Sequence, residues 1–189
     1  MSTLPPTHIR FDDGCTVLAE PGAAECAVNV GAATIARHWF VQTPPSPAAL
    51  ERAIDAVEDA LAASGLKQGL RGDLLPHDPA LFDRLGVPPD TERLTRDQVE
   101  ARFQRLASVS LGHPPQPHDP PTDPEAAALL LVLRECMHHL GFEGVGRGGK
   151  AQEPMGQRLL SRFDPAAASD FTVPERQAVR TPPQRGEGV

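Results

Sequence analysis

The sequence contains no tyrosine and a single tryptophan (Trp39), and aromatic residues make up only 4% of it. Apolar residues still reach 40%, so a core is expected, but its packing must rest on Leu, Val, Ile and Ala. A chain of 189 residues suits one domain plus extensions and is long enough to bury a core without disulfide staples. Cysteine is also scarce. Cys15, Cys26 and Cys136 are an odd, widely spaced set with no CxxC, which excludes a zinc ribbon or a thioredoxin motif and suits a reducing compartment. Met1 to Asp13 holds no apolar segment, so no secretory signal is expected. The longest apolar run, Ala126 to Leu133, falls far short of the roughly 18 residues that suggest a membrane span. No internal repeat, GxSxG or HExxH occurs.

Positive charge is short as well. Lys and Arg total 18 against 25 Asp and Glu, a formal charge of −7. Residues 143–189 carry seven basic and six acidic side chains, so the excess lies in residues 1–142, with eleven basic against nineteen acidic. An acidic body repels phosphate backbones and anionic bilayers, so neither nucleic acid nor membrane is the expected partner.

Proline is abundant, with 21 residues, and its clusters divide the chain. Proline disrupts helix interiors, so the windows between clusters are the helix candidates. Residues 7–19 read as a β-hairpin, with Ile9 and Phe11 leading into Asp12-Asp13-Gly14 and Cys15, Val17 and Leu18 returning. Residues 23–41 read as a helix, with Val28, Ala32, Ile35 and Trp39 on one stripe. Cys26, Val28 and Val30 also alternate as a strand would, with Gly31 as a break.

Residues 47–64 are a clearer helix, with Ser46 as cap, Pro47 in the first turn and Leu50, Ile54, Val57 and Leu61 as the buried stripe. Residues 66–94 read as a connector with one short helix between Asp78 and Gly86. Thr95 and Gln98 form a capping box for residues 96–111. A proline-rich loop follows at 113–121. Thr122 and Glu125 then suggest a second capping box for a broad apolar helix containing Leu129, Leu133, Cys136 and Leu140, stopped at Gly141. The expected fold is mainly α (α+β): four to five helices with an N-terminal β-hairpin over residues 6–142, and a disordered Gly/Pro-rich flexible tail over 143–189.

Three groups of residues invite a chemical reading. Gly144, Gly146 and Gly149 fit GxGxxG, and Gly144, Gly149 and Lys150 fit most of a Walker pattern. Both motifs need a preceding strand, and a helix is expected there instead. Ala151 also stands where Ser or Thr should hold magnesium, so a linker is the plainer reading. Glu135 and His138 stand i, i+3 on the last helix, the spacing found in di-iron bundles, with His139 beside them. Glu135, His138 and His139 are therefore the candidate metal ligands, with Glu58 and Glu100 as possible extra carboxylates. The plainer reading is histidines complementing a helix C-terminus. His38 with Cys26 or Cys136 would make a base–thiol couple, set against ordinary buried cysteine. Pro114 to Pro124 and Thr181 to Arg185 could serve as extended ligands for aromatic grooves, with spacer or tail as the plainer reading.

No complete catalytic set emerges. The sequence therefore reads as a non-catalytic cytoplasmic accessory or adaptor protein acting through contacts with another protein, without nucleic acid or membrane. The alternative is a metal-dependent enzyme using the Glu135/His138/His139 region. It predicts that His138 or Glu135 shares a pocket with Glu58, Glu100 or His38. The sequence names no cofactor.

Overall fold

Ile9 pairs with Leu18 across β1 (Thr7–Phe11) and β2 (Thr16–Ala19), an antiparallel hairpin whose register runs from His8 opposite Ala19 to Phe11 opposite Thr16. The expected turn closes it, with the Asp12 N–H donating to the Cys15 carbonyl at 2.9 Å. The computed structural model describes residues 4–147, and within them this hairpin is one part of a larger sheet. β2 pairs antiparallel with β3 (Cys26–Val28). On its other side β1 pairs parallel with β4 (Arg71–Pro76), and β4 pairs parallel with β6 (Phe142–Gly146). β5 (Arg93–Thr95) closes that edge antiparallel to β6. The strand order is β3-β2-β1-β4-β6-β5.

The mainly α expectation is therefore corrected to an α/β fold built on a six-stranded mixed sheet. The single helix expected over 23–41 is also corrected: Cys26–Val28 is a strand and only α1 (Ala32–Trp39) is helical, with Gly31 at the break. The strand alternative wins because Val28 buries in the sheet while Thr16 Oγ1 donates to the Val30 carbonyl at 2.8 Å, drawing the segment alongside β2. The connector expected over 66–94 holds β4 and β5 as well as the short α3 (Leu81–Arg84).

The longer helices follow their local signals. α2 (Pro47–Ala63) is capped by the Ser46 hydroxyl, which accepts from the Ala49 N–H at 3.3 Å. α4 (Arg96–Ser110) carries the full capping box, Gln98 N–H to Thr95 and Thr95 N–H back to the Gln98 side chain. α5 (Pro124–Leu140) starts differently from expectation, because the cap is Asp123, whose carboxylate accepts from the Ala126 N–H at 3.0 Å. Pro124 in the first helical position leaves the residue before it as the cap.

α5 packs against α1, α2, α4 and β6, and twelve of its seventeen residues are buried. Leu129, Leu130, Leu131 and Leu133 are almost wholly withdrawn from water, each worth about 1.5–3 kcal/mol of burial. Gly141 ends α5 with φ +83 and feeds the chain directly into β6. A Cβ there would lie 1.9 Å from the Gly69 carbonyl oxygen, so only glycine fits. Of the tail expected over 143–189, residues from 148 onward lie outside the described residues.

Candidate functional site

The sheet has two chemically different edges. β1, β4 and β6 run parallel, and β3, antiparallel to β2, shares their direction. Their carboxyl ends therefore lie along one edge. The chain leaves β1 toward β2 and β3 on one side, then crosses through α1 and α2 to enter β4 on the other. Such a reversal opens a crevice beyond the strand ends, the usual ligand position in open α/β sheets.

Four segments meet that edge: the Asp12–Cys15 turn after β1, the N-terminus of α1 after β3, His77 and Asp78 after β4, and Arg147 after β6. The first two are in close contact. Thr34 Oγ1 donates to the Asp13 carbonyl at 3.0 Å, and a Cβ on Gly31 would come within 2.5 Å of the same oxygen. The His77 N–H donates to the Ile9 carbonyl at 2.8 Å, fixing the start of the β4 loop against β1. Asp12 is paired with Arg10 at 3.0 Å and Asp78 with Arg84 at 3.4 Å. Asp13 is exposed and, among the described residues, carries no ion pair. Arg147 is held away from this chemistry by Asp83 at 3.1 Å, by the Pro88 and Thr91 carbonyls, and by the Phe82 ring beneath it.

At the opposite edge, the last turns of α5 carry the candidate metal ligands. Glu135 is fully buried. One of its oxygens accepts from the Arg134 guanidinium, and the other has no hydrogen-bond partner among the described residues. His139 Nε2 stands 3.3 Å from that second oxygen and 3.1 Å from Glu58 Oε1 on α2. The tertiary structure thus brings Glu135 and His139 together with Glu58. His138 lies outside this trio. It lines a cleft of about 390 Å³ with Gln68, Arg96, Glu100 and Arg134. Arg134 joins the two places, reaching Glu100 at 2.7 Å and lying 5.0 Å above the Phe103 ring. Burial works against the Glu100 carboxylate, yet hydrogen bonds from Arg134 and Gln104 outweigh it and hold its pKa below the ordinary value.

The other candidates fare differently. Cys136 is buried, and desolvation together with the neighbouring Glu135 charge pushes its thiol up to about 12, which removes it as a nucleophile at neutral pH. His38 is exposed, with Nδ1 2.9 Å from the Thr34 carbonyl. Gly144 and Gly146 lie within β6, so a strand, not the expected helix, runs into the glycine-rich stretch. Gly148, Gly149 and Lys150 lie outside the described residues. The carboxyl-edge aspartates were not singled out from sequence. The available signal was Asp12-Asp13-Gly14, which reads as a hairpin turn unless the parallel neighbour β4 is known.

The large exposed apolar residues among the described ones, Leu4, Val41, Leu70 and Leu111, sit on four different segments. No described helix is long and apolar enough to cross a membrane.

No family model and no curated protein matches the sequence. The fold, however, is similar to solved Ppx/GppA structures from Aquifex aeolicus. A crystal structure of the type II variant of the Ppx/GppA phosphatase aligns with TM-score 0.56 at 12% identity, covering 78% of this chain and 55% of that one. A crystal structure of the Aquifex aeolicus Ppx/GppA family member gives 0.55 at 11% identity, with 85% and 57% covered. A structural study of the PPX-GPPA enzyme gives 0.52 at 12% identity, with 77% and 54% covered. The chain thus spans a little over half the length of the solved structures it resembles. The likeness runs against the reading as a non-catalytic accessory or adaptor protein, which is withdrawn: the solved proteins of similar fold are described as an enzyme and a phosphatase. What the comparison establishes at this level of identity is the architecture: the fold is that of the Ppx/GppA structures.

Proposed function

We propose that the protein is a phosphatase-type enzyme that hydrolyses a phosphoanhydride or phosphate ester at the carboxyl edge of the sheet. The observation that carries this reading is the exposed carboxylate of Asp13, without an ion pair among the described residues, on a turn braced against the N-terminus of α1, in a fold similar to the Ppx/GppA phosphatase structures. A helix N-terminus favours phosphate oxygens, and an adjacent carboxylate suits either a divalent cation or an attacking water. In the hydrolytic step the water oxygen forms a bond to phosphorus. The bridging P–O bond breaks, the leaving oxygen takes its electron pair, and the water's proton passes to a base. Asp13 is the residue assigned to hold the cation or accept that proton. The acidic body argues for the cation, because phosphate approaches clustered carboxylates only when their charge is offset.

The test is phosphate release from inorganic polyphosphate and from p-nitrophenyl phosphate with Mg²⁺, comparing wild type with Asp13→Asn. Asp13→Asn is expected to lower the rate by about 100-fold or more, as for loss of a positioned acid–base group. A folded Asp13→Asn protein as active as wild type, or a wild type that releases no phosphate, would end this reading.

A second reading places the reaction in the cleft beside His138, where Arg96 offers a guanidinium group while Arg134 is taken up by Glu100 and Glu135. It predicts that His138→Ala, rather than Asp13→Asn, abolishes phosphate release. The setting we propose is the cytoplasm, in line with three free cysteines. The proposal that neither nucleic acid nor membrane is a partner rests on the acidic charge.

A further inference from the structure

We infer that Glu58, Glu135 and His139 form a binding site for one divalent transition-metal ion that ties α2 to α5. One donor atom from each residue lies within 4.8 Å of the others. The separations of 3.1 Å and 3.3 Å from His139 Nε2 to the two carboxylate oxygens fit ligands sharing one ion. Metal–ligand bonds of about 2.0–2.2 Å set neighbouring donors roughly 3–4 Å apart.

The hydrogen-bond arithmetic supports the same reading. A ring nitrogen carries at most one hydrogen, so His139 Nε2 serves one carboxylate and leaves the other facing it without a proton between them. Glu135 Oε2 is the oxygen left over: fully buried, unpartnered and directed at this point. An unsatisfied buried carboxylate oxygen is costly, and a cation satisfies all three donors at once. Glu135 is already oriented from behind by Arg134, which itself rests on Glu100. Metal ligands are commonly held by a second group in this way.

The donor set decides the kind of ion. One imidazole and two carboxylates suit zinc, manganese or iron, whereas calcium and magnesium favour all-oxygen shells. The side chains of His139 and Glu58 are 37% and 46% exposed, leaving an entry path and room for water in the remaining positions. The trio sits at the amino edge of the parallel strands. α5 runs from it straight into β6, and the end of α2 leads to β4. A bound ion would fix the two helices that deliver the adjacent parallel strands β4 and β6. The site uses none of the carboxyl-edge residues and stands or falls apart from the phosphatase reading.

The experiment is titration of the full chain, purified without a histidine tag and stripped with chelator, with ZnCl₂ and separately with MnCl₂, followed by calorimetry and thermal melting. One equivalent is expected to bind and raise the melting temperature. Glu58→Gln and His139→Ala, both at solvent-accessible positions, should weaken binding by at least about tenfold and remove the thermal shift. His138→Ala should leave binding intact, and Asp13→Asn should leave unchanged the part of the binding and the thermal shift that Glu58→Gln and His139→Ala remove. No binding by wild type, or equal binding by Glu58→Gln and His139→Ala, as adventitious thiol coordination would give, overturns the inference.

Discussion

The two edges of the sheet hold their charges in opposite ways. At the carboxyl edge the carboxylates of Asp12, Asp13 and Asp78 ride on turns, at least partly open to water, and the precision lies in the backbone beneath them. At the amino edge Glu135 is sunk completely and depends on the Arg134 side chain for its compensation, with His139 facing its second oxygen. An exposed carboxylate can be changed with little structural effect, whereas a buried one cannot lose its partner cheaply. The carboxyl edge can thus lose a charge at little structural cost, whereas the amino edge cannot.

The sharpest way to break this contrast is at Arg134. Arg134→Ala strips the buried Glu135 carboxylate of its main partner and should destabilise the fold by about 3–5 kcal/mol in urea unfolding. Combining Arg134→Met with Glu135→Leu removes both charges and should recover most of that loss. A cost below about 1 kcal/mol for Arg134→Ala would mean that the amino edge behaves like an exposed surface pair.

At the other edge the backbone is the vulnerable part. Gly31→Ala drives a Cβ into the Asp13 carbonyl and should cost about 1–3 kcal/mol, whereas Asp13→Asn should stay within about 0.5 kcal/mol of wild type. Equal costs for the two would show that the turn does not press on α1.

The smallest effect is expected in the proline-rich loop, at a half-buried pair that belongs to neither edge. Asp119 accepts two bonds from Arg105, both at 2.9 Å, and one from the Gln116 N–H at 2.7 Å. The Arg105 bonds, then the Gln116 N–H, lower its pKa from the ordinary 3.8 to about 2. A folded-state pKa below the unfolded one stabilises above the unfolded value and fades as pH falls through the folded one. The gap in melting temperature between wild type and Asp119→Asn should therefore be fully present at pH 5 and close as pH falls from about 4 to about 2. A gap that stays constant across that range would detach Asp119 from the loop's order.

How much of this could be read from the chain differs by element. α2, α4 and α5 announce themselves because caps, first-turn prolines and apolar stripes are local signals. The hairpin is legible for the same reason, since Asp12-Asp13-Gly14 needs no distant partner. β4 and β6 are not. Arg71-Gly-Asp-Leu-Leu-Pro and Phe142-Glu-Gly-Val-Gly place glycine and proline where a strand is expected to show β-branched residues. β3 and β5 have three residues each, too few to show a period. Glu135 and His139 were legible as neighbours on one helix turn, while Glu58, far away in sequence, was only one loose carboxylate among several.

The sequence by itself determined the ends of α2 and α4, the stop of α5 at Gly141, which face of α5 must be buried, and that one hairpin opens the chain, because those outcomes depend on residues within a few positions of one another. Only the tertiary structure decided that the chain is α/β, that Asp13 stands at the reversal between β1 and β4, and that His139 faces two glutamates. Each of those depends on parallel pairing or helix packing between distant segments, and no local periodicity encodes which segments will meet.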